Sequence, residues 1–186
     1  MPIGVDHGRG HEPVVIRRLT SEKDDAIRRA REAGLVVAEG RYKVEKYWGE
    51  KHPSNLYEVI ELAPNLFLTA GISEILKLAV GGSATAFNAS NARLCVGDGN
   101  TGESAGQTDL QGTNKYRQLV DAAPVVNNNT VTFQATFEAA NANFAWREVG
   151  VANAAVGGVM WSRKVTDLGT KANPAVWVLT WSLSIS

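Results

Sequence analysis

Few residues in this chain have the type and spacing to do chemistry. Gly97-Asp98-Gly99-Asn100-Thr101-Gly102 satisfies GxGxxG and follows a strand-like run, the setting in which backbone N–H groups cradle a pyrophosphate at a helix N-terminus. The segment after it, Glu103-Ser104-Ala105-Gly106-Gln107-Thr108, is polar, holds another glycine and leads into a further strand-like run. The helix that completes a dinucleotide site is missing, so a tight turn followed by a surface loop is expected, with no cofactor. Asp98, Asn100 and Glu103 are oxygen donors of the kind calcium uses, but their spacing departs from the EF-hand loop and no metal is expected.

The remaining candidates also fall short of a catalytic set. Histidine is confined to His7, His11 and His52, so a Ser-His-Asp or Cys-His arrangement cannot be built within the second half alone. None stands at an HExxH spacing, and Gly8 and Gly10 work against the helix that would align His7 with His11. Cys95, the single cysteine, lies in the run Ala92-Arg93-Leu94-Cys95-Val96 and reads as a small buried hydrophobe. Glu138, Glu148 and Asp167 are the acids that could meet across a glycosidic bond. Most acids of the second half lie beside turns, where a solvated role is usual, and no catalytic residue is expected.

The elements that position these residues follow from periodicity. Strand-like runs at 92–97, 115–120, 130–138, 143–152, 158–166 and 175–185 are separated by Gly, Asn, Asp and Pro clusters. In the last run Trp177, Leu179, Trp181, Leu183 and Ile185 face one way while Thr180, Ser182 and Ser184 face the other. Val131, Phe133, Ala135 and Phe137 alternate likewise. Short strands without intervening helices predict a mainly β fold, an antiparallel β-sandwich or a jelly-roll-like barrel. One short helix packs on it, from Leu66 to Val80, with Thr69 as cap and Gly81-Gly82 as stop.

Charge divides the chain. Residues 1–62 hold 11 basic and 11 acidic side chains, whereas 63–186 hold 8 of each in twice the length and four of the five tryptophans. The expected organisation is a charged N-terminal arm at 1–62 and a β-rich core domain at 63–186. Within the arm, Thr20 or Ser21 caps a helix at 20–33 with acids in its first turn and arginines near its end. Its apolar face is only Ala26, Ile27, Ala30 and Ala33, too little to hold it without a neighbour. Leu35 to Trp48 and Leu56 to Leu62, joined by His52-Pro53-Ser54-Asn55, predict a hairpin. Arg17, Arg18, Arg28, Arg29 and Arg31 are the candidate partner contacts.

The net charge of +0 argues against nucleic acid as a partner. No apolar run reaches the roughly 20 residues that span a bilayer, and MPIGVDHGRGHEPVV lacks a signal peptide's apolar stretch, so no membrane partner is expected and the chain is expected to be made in a cytoplasm.

Several segments carry a resemblance. They are Pro64-Asn65-Leu66-Phe67-Leu68-Thr69-Ala70-Gly71-Ile72, Ala86-Phe87-Asn88-Ala89-Ser90-Asn91-Ala92, Val96-Gly97-Asp98-Gly99-Asn100-Thr101 and Gln107-Thr108-Asp109-Leu110-Gln111-Gly112. Asn143-Phe144-Ala145-Trp146-Arg147-Glu148, Arg163-Lys164-Val165 and Leu168-Gly169-Thr170-Lys171 continue the series. In this order the chain resembles the small virion structural proteins of tailed bacteriophages over about residues 64–186, with the arm outside the match. The resemblance implies a non-enzymatic component of the virion. The expectation is a capsid decoration or cement protein that binds the major capsid protein, forms a homo-oligomer with a trimer favoured by analogy, and uses the arm along neighbouring subunits. The competing expectation is a tail or head-fibre component whose sandwich binds a host glycan, with Trp161 as a loop aromatic stacking on sugar rings.

Overall fold

The computed structural model describes residues 14–186; His7 and His11 lie outside them. The chain runs β1 (Val15–Arg18), α1 (Glu22–Glu32), β2 (Ala38–Tyr47), a short 3-10 turn (Pro53–Asn55), β3 (Leu56–Glu61), β4 (Leu66–Phe67) and α2 (Thr69–Ala79). It continues through β5 (Arg93–Gly97), β6 (Lys115–Leu119), β7 (Val125–Asn127), β8 (Thr130–Phe137), β9 (Glu148–Ala152), β10 (Met160–Val165) and β11 (Val176–Ile185). Two open sheets result, one ordered β1-β3-β2-β11-β8-β7 and the other β4-β10-β9-β5-β6. This is the sandwich of the two expected forms, with every pairing antiparallel except β1 beside β3.

β11 organises the first sheet because its alternation is the strongest in the chain. It pairs with β2 from Val176↔Tyr47 to Ile185↔Ala38 and with β8 from Trp177↔Phe137 to Ser184↔Thr130. Cross-strand partners share a face, so Trp177, Leu179 and Trp181 are flanked by Phe137, Ala135 and Phe133 on one side and by Lys46, Val44 and Tyr42 on the other. This row meets Leu94, Val96, Val149, Val151 and Trp161 of the second sheet in one core. Aromatic rings interlock there: Trp181 lies 5.0 Å from Trp161 and 5.4 Å from Phe133, and Trp146 lies 4.8 Å from Trp177 and 4.7 Å from Phe137. Each such pair adds roughly 0.5–1.5 kcal/mol beyond its burial.

The expected division into an arm at 1–62 and a core at 63–186 is corrected by the sheet. β2 lies in the interior of the six-stranded sheet between β3 and β11, and Tyr42, Val44, Ile60 and Leu62 are at most 1% exposed. The charges of 39–61 alternate with these apolar residues along strands that wet one face only, so high charge density there marks a half-buried strand. Only β1 and α1 match the picture of an appendage, since none of their residues is buried. Ser21 caps α1, and its backbone N–H donates to the Asp24 carboxylate at 2.7 Å.

Two local differences have plain causes. The run 143–152 is a strand only from Glu148, because Ala142 has φ 52° and the chain then turns, leaving a single bridge between Ala145 and Thr170. α2 begins at Thr69 with Leu68 in the cap position. It can lie close to β10 because Gly71 faces the Trp161 backbone, where any Cβ would collide with Trp161 Cα.

Candidate functional site

The densest polar arrangement lies where the loop 98–112 folds against the second sheet. Glu148 opens β9 and Arg163 stands on β10, with register pairs Val149↔Lys164 and Gly150↔Arg163. Both side chains are 0% exposed and their charged atoms are 2.7 Å apart. Carboxylate oxygens of Glu148 accept from the backbone N–H groups of Gly99 (3.2 Å), Gln111 (2.9 Å) and Gly112 (2.7 Å). Arg163 donates onward to Thr101 O (2.9 Å) and Gln107 Oε1 (2.8 Å). A buried ion pair repays its desolvation only when its remaining hydrogen-bonding capacity is filled, and here the loop fills it.

The glycines fit this task. A Cβ at Gly97 would stand 2.6 Å from Glu148 Oε1, and one at Gly99 or Gly112 would run into the facing loop backbone. The glycine-rich string is therefore a cradle for the chain's own carboxylate. Within the string the Gly99 N–H donates to Glu148 and the Asp98 N–H to Asn114 O (3.1 Å), so two of the donors that a phosphate would use are taken. The surface loop expected from sequence is in fact anchored, with Leu110 only 1% exposed in a small cluster with Leu68, Cys95, Ala152 and Met160. Burial pushes the Cys95 thiol up to about 12, well away from a nucleophile's range.

Around the loop, each acid has its own partner. Asp98 accepts from Asn114 N (3.0 Å) and Asn114 Nδ2 (2.6 Å), while Asp109 pairs with Arg117 (2.7 Å) and Lys115 (3.2 Å). Glu103 accepts from Val165 N (2.8 Å) and pairs with Lys23 (3.2 Å) and Lys164 (3.3 Å). Burial raises the Glu103 carboxyl, but the Val165 N–H and the two ammonium groups outweigh it and hold the group below the usual carboxylate range. Asp98 and Glu103 thus turn to different partners, and among the described residues no group of three or more His, Cys, Asp or Glu side chains could hold a metal ion. Glu148 is enclosed while Glu138 and Asp167 are exposed, so those three acids do not form a cleavage site.

Four of the five candidate arginines are engaged within the chain. Arg17 pairs with Glu58 (2.5 Å), Arg18 with Glu61 (2.6 Å), Arg28 with Asp25 (3.1 Å) and Glu32 (3.2 Å), and Arg31 with Glu39 (2.8 Å). Arg29 is exposed in the last turn of α1 and makes no ion pair among the described residues. Trp161 is corrected: it stands on β10 at 8% exposure, packed on Phe87, and is unavailable to a sugar. The exposed aromatic is Trp48, 61% exposed at the end of β2, with Tyr57 edge-on at 6.4 Å.

The sequence puts Lys46 on the same side of its strand as Tyr42 and Val44 but does not show that its amine and that of Lys171 are buried. Lys46 Nζ donates to Leu168 O (2.6 Å), pairs with Glu58 (2.6 Å) and sits 4.2 Å from the Trp177 ring centroid. Lys171, 1% exposed, donates to Glu138 O (2.7 Å) and Asn143 Oδ1 (3.1 Å), and burial pushes its amine down to about 8.

No family model matches the chain, and neither a curated protein nor a solved structure matches it.

Proposed function

We propose that the chain is a non-enzymatic structural component of a tailed-phage virion, a capsid decoration or cement protein that binds the major capsid protein and stabilises the shell. The observation that carries this reading is the Glu148–Arg163 pair, which spends its hydrogen-bonding capacity on the chain's own loop. Charged groups tied up in this way hold the loop in shape and are themselves closed to a substrate. The residues of the clamp, Gly97, Gly99, Gly112, Glu148 and Arg163, fall within the segments that resemble phage virion proteins. The test is co-sedimentation of the purified full chain with empty capsids and, separately, with tails. Binding to capsids and a raised capsid melting temperature are the expected results; binding to tails alone would move the protein to the tail.

One observation favours a second reading, a tail or head-fibre component that binds a glycan. Trp48 and Tyr57 present an exposed aromatic pair at the end of the β2–β3 hairpin, a form suited to stacking on a sugar ring. Glycan-array binding that is lost in Trp48→Ala would support it.

A further inference from the structure

One rim of the six-stranded sheet is unlike the rest of the surface. Leu35, Val36, Val125, Val126 and Ile185 are exposed there at 61%, 81%, 66%, 70% and 48%. Backbone pairing makes them neighbours: Val37 and Ser186 exchange hydrogen bonds (2.6 and 3.0 Å), Ile185 N donates to Asn129 O (3.0 Å), and Val126 is opposite Val131, itself opposite Leu183. Together the five residues leave on the order of 600 Å² of surface open along this end of the sheet, comparable with the largest patch a soluble monomer usually exposes. A recess of about 270 Å³ opens between Val126, Val131, Leu183 and Ile185.

The rim also carries no charged side chain of its own. Residues 33–38, 122–137 and 172–186 contain no Asp, Glu, Lys, Arg or His, although the chain holds 19 acids and 19 bases. Arg31, which reaches the rim through Ser186 Oγ (2.8 Å), is already paired with Glu39. The two ends of this sheet therefore differ. The β1 edge carries Arg17 and Arg18 in ion pairs, the kind of charged guard that keeps edge strands from pairing. The β7 edge, Val125–Asn127, is terminal in the sheet and carries no charge; it is guarded by its shortness and by Pro124 before it.

We propose that this rim is a two-fold contact with a second copy of the chain, in which the apolar rims of two molecules pack end to end. A two-fold axis sets a patch against itself. A charged patch would then meet its own charge, whereas this one meets only its own apolar side chains and Asn amides. The recess beside Val126 receives Val126 of the other molecule. Standard interfaces bury roughly 800 Å² per partner, so the apolar rim together with the Asn127–Asn129 turn provides most of what a stable contact needs. This inference does not rest on the virion reading and can hold or fail without it.

The experiment is sedimentation velocity and light scattering of the full chain across micromolar concentrations. A species of twice the 20.0 kDa chain mass is expected, dissociating on dilution. Val126→Asp and Ile185→Asp should each raise the dissociation constant at least roughly tenfold, with melting temperatures kept near the parent's as a check on folding. Trp48→Asp, at the opposite end of the ten-residue β2, makes the same kind of change away from the rim and should leave dimerisation as it was. Val126→Cys should form a disulfide-linked dimer on mild oxidation, whereas the parent, whose only cysteine is buried, should not. A monomer at every concentration, a trimer, or a dimer unaffected by both aspartates would overturn the proposal.

Discussion

The Glu148–Arg163 pair and the ion pairs of α1 use the same functional groups to opposite effect. Arg28, Asp25 and Glu32 are 59%, 64% and 62% exposed and join residues three or four apart on one helix. Their attraction is screened by water and salt, and such pairs contribute little. Glu148 and Arg163 are 0% exposed and connect β9 and β10 to a loop reaching from Gly99 to Gly112. Without water, each unfilled valence would be costly, so the surrounding backbone is committed to them. What separates a decorative ion pair from an organising one is the number of backbone groups that depend on it.

The sharpest break of that comparison is to remove what surrounds the clamp. A fragment of residues 63–186 retains Glu148, Arg163 and their loop but loses β2 and β3, and with them Tyr42, Val44, Ile60 and Leu62 from the core. It should show no cooperative thermal transition, because the exposed flank of β11 and the vacated core together exceed the 5–15 kcal/mol by which a domain is stable. A fragment beginning at residue 35 removes α1 and β1 alone and should still melt cooperatively. Circular dichroism on both distinguishes a real sheet dependence from damage caused by any truncation.

The next largest effect is expected from the clamp itself. Arg163→Met leaves the Glu148 carboxylate buried without its counter-charge and should cost about 3–5 kcal/mol in chemical denaturation. Adding Glu148→Met removes the stranded charge, so the double variant should be less destabilised than the sum of the two singles by at least about 1 kcal/mol. Strict additivity would mean that the two residues act separately and that the loop is held by something else.

Legibility followed the same divide. β11 and β8 were readable because alternating side chains report a face directly, and α1 because its cap and terminal charges are local. The place of β2 was not. Glu39, Arg41, Lys43 and Glu45 gave the segment the composition of a solvated arm, while its central position depends on a ten-residue register with β11 some 140 residues away. The clamp was half visible: Glu148 was noticed as an acid and Arg163 as part of a resemblance, but nothing in their spacing states that both are enclosed. The burial of the Lys46 and Lys171 amines was not visible because a lysine's head is ordinarily in water, and only the fold shows the carbonyls that receive them. The parallel strand β1 carries no periodic signal, since all four of its residues are exposed.

Glu103 lies between the two extremes, with 14% of its side chain exposed and partners from α1, β10 and the adjoining backbone. Its carboxyl is held below its ordinary value of 4.5, so the folded state favours the ionised form more than the unfolded chain does. Its contribution is fully present above the ordinary value and is lost as pH falls through the lower, folded-state value. Glu103→Gln should therefore cost about 1 kcal/mol at pH 7, and the gap to the parent should close in acid. A penalty that stays constant with pH would assign the effect to lost packing.

The smallest effect belongs to Arg28, and its smallness is informative. Arg28→Ala removes pairs at 3.1 and 3.2 Å to Asp25 and Glu32, yet both acids stay hydrated and alanine is the better helix former. The change in stability should be the smallest of the series, and raising the salt concentration should shrink even that by screening the parent's pairs. A loss as large as that of Arg163→Met would place α1 in the cooperative core and erase the contrast with the clamp. If stability is unchanged while capsid attachment weakens, the exposed arginines serve a partner, and the effect should appear in binding at low salt and fade as ionic strength rises.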